Sequence, residues 1–231
     1  CGMDRIEVGH GLGLNAQNRG KGRAAESDAD YIKAAKAAVG DTAKIGVFFI
    51  PGIGEIDDIK AAANHGLDFI RIGCDADQYE KAAPYVETAK AAGLEVWSNL
   101  MKSYVLSPEE FAATCAKAEG FGADVAVLVD SAGGMTPGET AAYIAAAKSS
   151  CGCGVGFHGH NNLQLVIANC LAAAEAGCGY VDGSLRGVGR SAGNAATEIL
   201  GSLLVREGYD IGGVAWRELF DLAQEMIAPL V

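Results

Sequence analysis

The chain has 231 residues, half of them hydrophobic, and a formal net charge of −11, which is enough apolar material for one large core. That acidic balance argues against a nucleic-acid surface, because neutralising phosphates takes clustered Lys and Arg. No apolar run approaches the roughly 18 residues of a membrane span, and no signal-like leader opens the chain, so the sequence reads as soluble and cytoplasmic.

In chain order, strand-like runs are expected at 5–8, 44–50, 69–72, 95–100, 125–129, 155–158 and 180–182. Each is followed by a helical pattern, at 30–39, 56–65, 78–92, 108–119, 137–148, 163–176 and 195–207. Strand alternating with helix at this spacing means parallel βα units. Ser107-Pro108-Glu109-Glu110 places a cap, a first-turn proline and two acids in order, and Thr136-Pro137-Gly138-Glu139 follows a similar plan. Gly40, Gly66, Gly93 and Gly177 fall where helices should stop. No linker interrupts the pattern, so residues 1–231 read as one domain, with seven strands against the eight of a closed barrel.

The seven cysteines are spaced unlike a disulfide framework and read as reduced, mostly core residues. Cys151-Gly152-Cys153 has no second pair at zinc spacing and reads as incidental.

The most informative stretch is Gly156-Phe157-His158-Gly159-His160-Asn161-Asn162, where an apolar strand stops. Residues two apart on a strand point to the same side, so His158 and His160 can face one metal ion, and neutral imidazoles suit first-row divalent metals. After the next apolar run, Gly183, Gly187, Gly189 and Gly193 form a loop suited to cradling a ligand, with Asn194 expected to begin a helix. The spacing is not that of the dinucleotide fingerprint. Other polar residues also gather at strand ends: His10, Arg71, Asn99, Asp130, Ser131 and Asp182. That edge carries the site in parallel α/β architectures, which makes His10 and Arg71 catalytic candidates and Asp130 a substrate contact. Plainer roles compete with these. Arg71 would pair with Asp75 or Asp130, Asp130 would cap the helix at Thr136 or hold a loop, and His65 would face the dipole at a helix end.

These motifs, with Ile6-Glu7-Val8-Gly9-His10-Gly11, Gly20-Lys21-Gly22-Arg23, Phe48-Phe49-Ile50-Pro51-Gly52-Ile53-Gly54, Asp130-Ser131-Ala132-Gly133-Gly134-Met135 and Asp182-Gly183-Ser184-Leu185, resemble the barrel metalloenzymes that include 3-hydroxy-3-methylglutaryl-CoA lyase, isopropylmalate synthase and 4-hydroxy-2-oxovalerate aldolase. The aldolase branch fits best. The resemblance implies a TIM (β/α)8 barrel of the HMG-CoA lyase-like type, seven of its βα units being visible. It also implies a divalent-metal aldolase that cleaves 4-hydroxy-2-oxo acids to pyruvate and a short aldehyde, as in aromatic hydrocarbon catabolism. By resemblance His158 and His160 are the metal ligands, and Asn194, which follows Gly193 where a helix is expected to begin, is expected to face the same pocket as a fourth ligand or a partner that orients His160. The metal is manganese, with cobalt, magnesium or zinc as alternatives. Ser131 resembles a substrate-carboxylate contact and a catalytic residue, and Phe48 and Ile50 stand where the aldolases line the aldehyde pocket. An acylating aldehyde dehydrogenase partner and a homo-oligomer are also implied.

The sequence departs from the family at its ends. The family's first strand carries a Thr-Leu-Arg-Asp-Gly type motif whose Asp is a third metal ligand, and this chain opens at Cys1 without it. The chain is therefore expected to be incomplete at both ends. Unpaired strand edges near Arg5 and Tyr180 are expected, with poor stability or self-association and no aldolase turnover when the chain is made alone. A Claisen-type acyl-CoA synthase or lyase of the same family, or a non-catalytic binding relative, are the competing readings.

Overall fold

The computed structural model of the protein describes residues 1–230. One parallel sheet contains seven strands, β1 (Arg5–Glu7), β2 (Lys44–Phe49), β3 (Phe69–Asp75), β4 (Glu95–Met101), β5 (Val125–Asp130), β6 (Gly154–Gly159) and β7 (Tyr180–Val181), each beside its successor in the chain. Laid flat, β3 and β7 would stand about 19 Å apart, four spacings of ~4.8 Å. Yet Arg71 on β3 forms an ion pair with Asp182, one residue past β7, so the sheet is rolled into a barrel wall. Among the described residues no ladder joins β1 to β7, and the wall is open there. Near the gap the Arg5 guanidinium lies 5.4 Å from the centre of the Tyr180 ring, and the Ala215 amide donates to the Cys1 carbonyl at 2.8 Å.

The helices are α1 (Asp28–Val39), α2 (Ile56–Asn64), α3 (Ala83–Ala91), α4 (Pro108–Phe121), α5 (Pro137–Ser150), α6 (Val166–Glu175), α7 (Thr197–Arg206) and α8 (Trp216–Leu222). The sequence signals at α4 work as a reciprocal cap: the Glu110 amide donates to Ser107 Oγ at 3.3 Å, and the Ser107 amide donates to the Glu110 carboxylate at 2.7 Å. Thr136 and Glu139 repeat it at α5, and Glu55 with Asp58 supplies a third such box at α2. His65 closes the C-terminal end of α2, followed by Gly66 at φ 93°.

The helix starts expected at residues 78 and 163 differ in the structure. The run expected from residue 78 is 3-10 over Ala76–Ala82, and α3 begins at Ala83 because Pro84, which lacks an N–H, is tolerated only in a first turn. The helix expected from residue 163 begins at Val166, because Gln164 sits at φ 59° in the turn before it. α8 and the helical turns after it, through Leu230, lie beyond the helices expected from the sequence.

Alternation along the strands builds two cores. One parity, including Ile45, Val47, Phe49, Ile70, Ile72, Val96, Leu100, Leu128 and Phe157, packs outward against the helices. The other parity fills the lumen with Phe69, Trp97, Val125, Val127 and Val129, against which Tyr180 packs. Ring centroids of Phe69 and Trp97 lie 5.8 Å apart and those of Trp97 and Tyr180 4.7 Å apart. Gly46 leaves the room that the Phe69 ring occupies. At the opposite end of the strands from the site, Glu95 accepts from Arg5, Lys44 and the Trp97 indole. Burial raises the Glu95 pKa, but those three donors outweigh it and hold the carboxyl below the ordinary glutamate range.

Candidate metal site and its polar surround

Three loops at the C-terminal ends of β5, β6 and β7 are sewn together by backbone contacts. His160 N–H donates to the Asp130 carbonyl at 3.3 Å and Asn161 N–H to the Gly193 carbonyl at 2.9 Å. Gly133, at φ 61°, lies so close to the next loop that a Cβ there would come within 2.6 Å of the His160 carbonyl oxygen. A single antiparallel bridge pairs His160 with Asn194. Asn194 is therefore a bridge residue and not the start of the helix expected there, since α7 begins at Thr197, after a second bridge between Ser184 and Ala196. Gly189 leaves the space the Asn194 amide fills, a Cβ there coming within 2.5 Å of it.

These loops bring the rings of His158 and His160 to a centroid separation of 5.2 Å, perpendicular to one another. His158 Nδ1 lies 3.1 Å from Asp182 Oδ2. The Asn194 amide nitrogen donates to the Val188 carbonyl at 3.2 Å and to Ser184 Oγ at 3.4 Å, which assigns its oxygen to the other side. Asn194 Oδ1 and His160 Nδ1 are both buried without a hydrogen-bond partner. Buried polar atoms left unpaired cost about 1–3 kcal/mol each, and a cation complements an amide oxygen and an imidazole nitrogen of that kind beside a second imidazole. Burial first, and then the neighbouring His158, lower the His160 pKa and keep that ring in the neutral form a metal requires. The donor set thus fits a divalent ion, though among the described residues no group of three or more His, Cys, Asp or Glu side chains surrounds a common point.

Beneath the histidines lies a polar layer. Arg71, 9% exposed, donates from Nε to Asn99 Oδ1 at 3.3 Å, from Nη1 to Glu7 Oε2 at 3.3 Å, and from Nη2 to Asp182. Its guanidinium carbon stands 5.9 Å from the Trp97 ring centre. Burial works against ionisation of Asp182, but the Arg71 charge and the hydrogen bonds from His158 and Arg71 prevail and hold its pKa at about 2.

The remaining sequence candidates separate. Arg71 pairs with Asp182 and Glu7, not with Asp75 or Asp130, and Asp75 pairs with Lys102 at 2.7 Å. Asp130, expected to touch substrate, is fully buried and accepts from the Gly134 and Met135 amides at 3.2 and 2.9 Å, so it holds the loop after β5. Ser131 is half-buried and its Oγ accepts from the Lys102 amide at 3.0 Å. His10 sits in the loop after β1, its Nδ1 accepting from the Leu12 amide at 3.0 Å, beside Phe48 around a small recess and outside the hydrogen-bond network of the two other histidines. Phe48 shares the inward parity and its ring occupies the space above Gly73. Ile50 lies just beyond β2, half-buried, its carbonyl accepting from the Ile53 and Gly54 amides at 3.0 Å. All seven cysteines are free thiols.

Asp182 and Glu7 were the residues the sequence left without a role. The observed register accounts for the first: Gly156 pairs with Tyr180 and Phe157 with Val181, which sets His158 beside Asp182.

The sequence profile of the HMGL-like family matches residues 1–226. The chain belongs to the HMGL-like family. It is 43% identical over 231 residues to 4-hydroxy-2-oxovalerate aldolase 2 of Nocardia farcinica, all of this chain against 66% of that protein. It is 41% identical over 229 residues to the 4-hydroxy-2-oxovalerate aldolase of Carboxydothermus hydrogenoformans, covering 99% of this chain and 68% of the relative. The chain thus spans about two thirds of the length of these relatives. Among solved structures, HMG-CoA lyase from Brucella melitensis superposes with a TM-score of 0.72 at 19% identity, covering 83% of this chain and 76% of that one. Pyruvate carboxylase from Rhizobium etli gives 0.77 at 15%, over 86% of this chain and 21% of that one. At those identities the likeness speaks to the barrel fold alone.

Proposed function

We propose that this domain cleaves a 4-hydroxy-2-oxo acid to pyruvate and a short aldehyde with the help of a divalent metal. The observation that carries the reading is the pair of buried polar atoms without partners, His160 Nδ1 and Asn194 Oδ1, beside His158, in a chain whose relatives are named 4-hydroxy-2-oxovalerate aldolases. His158, His160 and Asn194 would hold the ion, manganese by the mix of imidazole and hard oxygen donors, with cobalt, magnesium and zinc as alternatives. When bound, such an ion supplies Lewis acidity that draws electron density from a 2-keto group as the C3–C4 bond breaks. The missing carboxylate ligand would sit on a strand in the gap between β7 and β1. Without that strand metal would be held weakly and turnover would be negligible.

The chain's own groups then divide the remaining work. Ser131 accepts a backbone amide at Oγ, so its hydroxyl hydrogen is free to donate to the substrate carboxylate. Arg71 spends three of its five N–H groups on Asn99, Glu7 and Asp182, leaving two to stabilise negative charge that develops on substrate oxygen. His10, accepting at Nδ1, is held as the Nε2–H tautomer with Nε2 beside Gly22, and would serve the reaction as a proton donor only with its ring turned to the pocket. Phe48 and Ile50 would bound the aldehyde, the bulk of Phe48 favouring a short one. The reading extends, by resemblance, to an acylating aldehyde dehydrogenase as partner, a homo-oligomer, a cytoplasmic setting and a place in aromatic hydrocarbon catabolism. Release of pyruvate from 4-hydroxy-2-oxovalerate with Mn2+ tests the reading, and a protein that binds the acid without releasing pyruvate refutes it.

A further inference from the structure

Asp182 ties the metal site to the barrel floor. Its carboxylate accepts from His158 Nδ1 and from Arg71 Nη2, and Arg71 is held in turn by Glu7, Asn99 and the Trp97 face. We propose that Asp182 is the positioning residue for His158, fixing its ring rotation and tautomer so that Nε2 is the atom turned to a cation. The inference rests on the reading of His158 as a ligand.

A histidine ring turns about a broad, two-fold torsion and by itself has no single orientation or tautomer. An ionised carboxylate only accepts hydrogen bonds, so the 3.1 Å contact puts the ring proton on Nδ1 and leaves the lone pair on Nε2. Asp182 cannot drift with the ring, because the guanidinium that clamps it is itself buried and donates to two other acceptors on β1 and β4. His160 is held differently: its Nδ1 has no partner and its place is set by the backbone bridge to Asn194. One imidazole is thus aimed by a carboxylate and the other by the loop that carries it. Partners of this kind, lying behind a ligand, typically contribute 10–100-fold in metal affinity.

The test has two readouts in the natural full-length protein. Long-range proton–nitrogen NMR of the metal-free protein reports the His158 tautomer, and the electron paramagnetic resonance signal of free Mn2+ reports affinity. We expect the Nδ1–H tautomer at His158, and a reduced Nδ1–H population in Asp182→Asn, whose neutral amide oxygen accepts more weakly than the charged Oδ2 that serves both His158 and Arg71, together with Mn2+ binding weakened roughly 10–100-fold. Arg71→Met removes the clamp but keeps the His158 contact, so it should keep the tautomer and lose less affinity. An Nε2–H tautomer in the unmodified protein overturns the inference even if Asp182→Asn fails to fold. So does Asp182→Asn binding within about threefold of the parent, below the range expected for such a partner. Equal losses in the two variants would reduce Asp182 to a structural ion pair and also overturn it. Absence of Mn2+ binding in the unmodified protein would instead sink the metal reading, while the tautomer would still report on Asp182.

Discussion

Trp97→Ala tests whether the lumen floor supports the site. The indole is 4% exposed and lies between the rings of Phe69 and Tyr180, with the guanidinium carbons of Arg5 and Arg71 at 5.8 and 5.9 Å from its centre. Truncating a buried aromatic costs about 3–5 kcal/mol, and the lost ring pairs and cation contacts fall within that spread. Against a total stability of about 5–15 kcal/mol, this is a large share. At ~2–4 °C per kcal/mol for a domain of this size, the melting point should fall by about 6–20 °C. Denaturant unfolding should show the same loss as a lower midpoint with an unchanged slope. Trp216→Ala, at a half-buried position on the mostly exposed α8, is the control and should cost clearly less. Because Arg71 rests on Trp97, Mn2+ affinity should weaken alongside stability. A Trp97→Ala protein within about 1 kcal/mol of the parent would refute the packed lumen, since surface substitutions commonly cost less than that.

Asn194→Ala should weaken Mn2+ binding roughly 10–100-fold while leaving α7 intact; circular dichroism and a metal titration check both halves, and unchanged affinity would make Asn194 a loop residue only. Glu95→Gln should cost about 1–3 kcal/mol at neutral pH through its charge-assisted hydrogen bonds. The Glu95 carboxyl is held below its ordinary range, so its contribution is present above that range and is lost as pH falls through the lowered folded pKa. The parent should therefore lose stability more steeply than Glu95→Gln on acidification, and parallel curves would contradict the assignment.

Much of the architecture was legible because period and punctuation agree. The β2, β4 and β5 runs were found to within a residue or two, and Ser107 and Thr136 cap the helices they precede. The His158 and His160 pair was legible for the same reason, since a strand period of two fixes a shared side. What the chain does not write locally is register and hydrogen-bond allocation. Arg71 could choose among several acids on neighbouring strands, and only the rolled sheet brings Asp182, 111 residues away, to its guanidinium. Asp130 looked available as a strand-end acid, but the turn after β5 folds two amides back onto it. Asn194 follows a glycine and precedes an apolar helical run, the signature of a helix start, yet the bridge to His160 and the bridge between Ser184 and Ala196 delay α7 to Thr197.

The measurement that bears most directly on the account is pyruvate release from 4-hydroxy-2-oxovalerate by the natural full-length protein, assayed with Mn2+, after chelation, and in His158→Ala and His160→Ala. The account predicts pyruvate and aldehyde in equal amounts, dependent on Mn2+, lost on chelation and restored by the metal, and absent from both variants. Metal-dependent pyruvate release that survives either histidine substitution would contradict it.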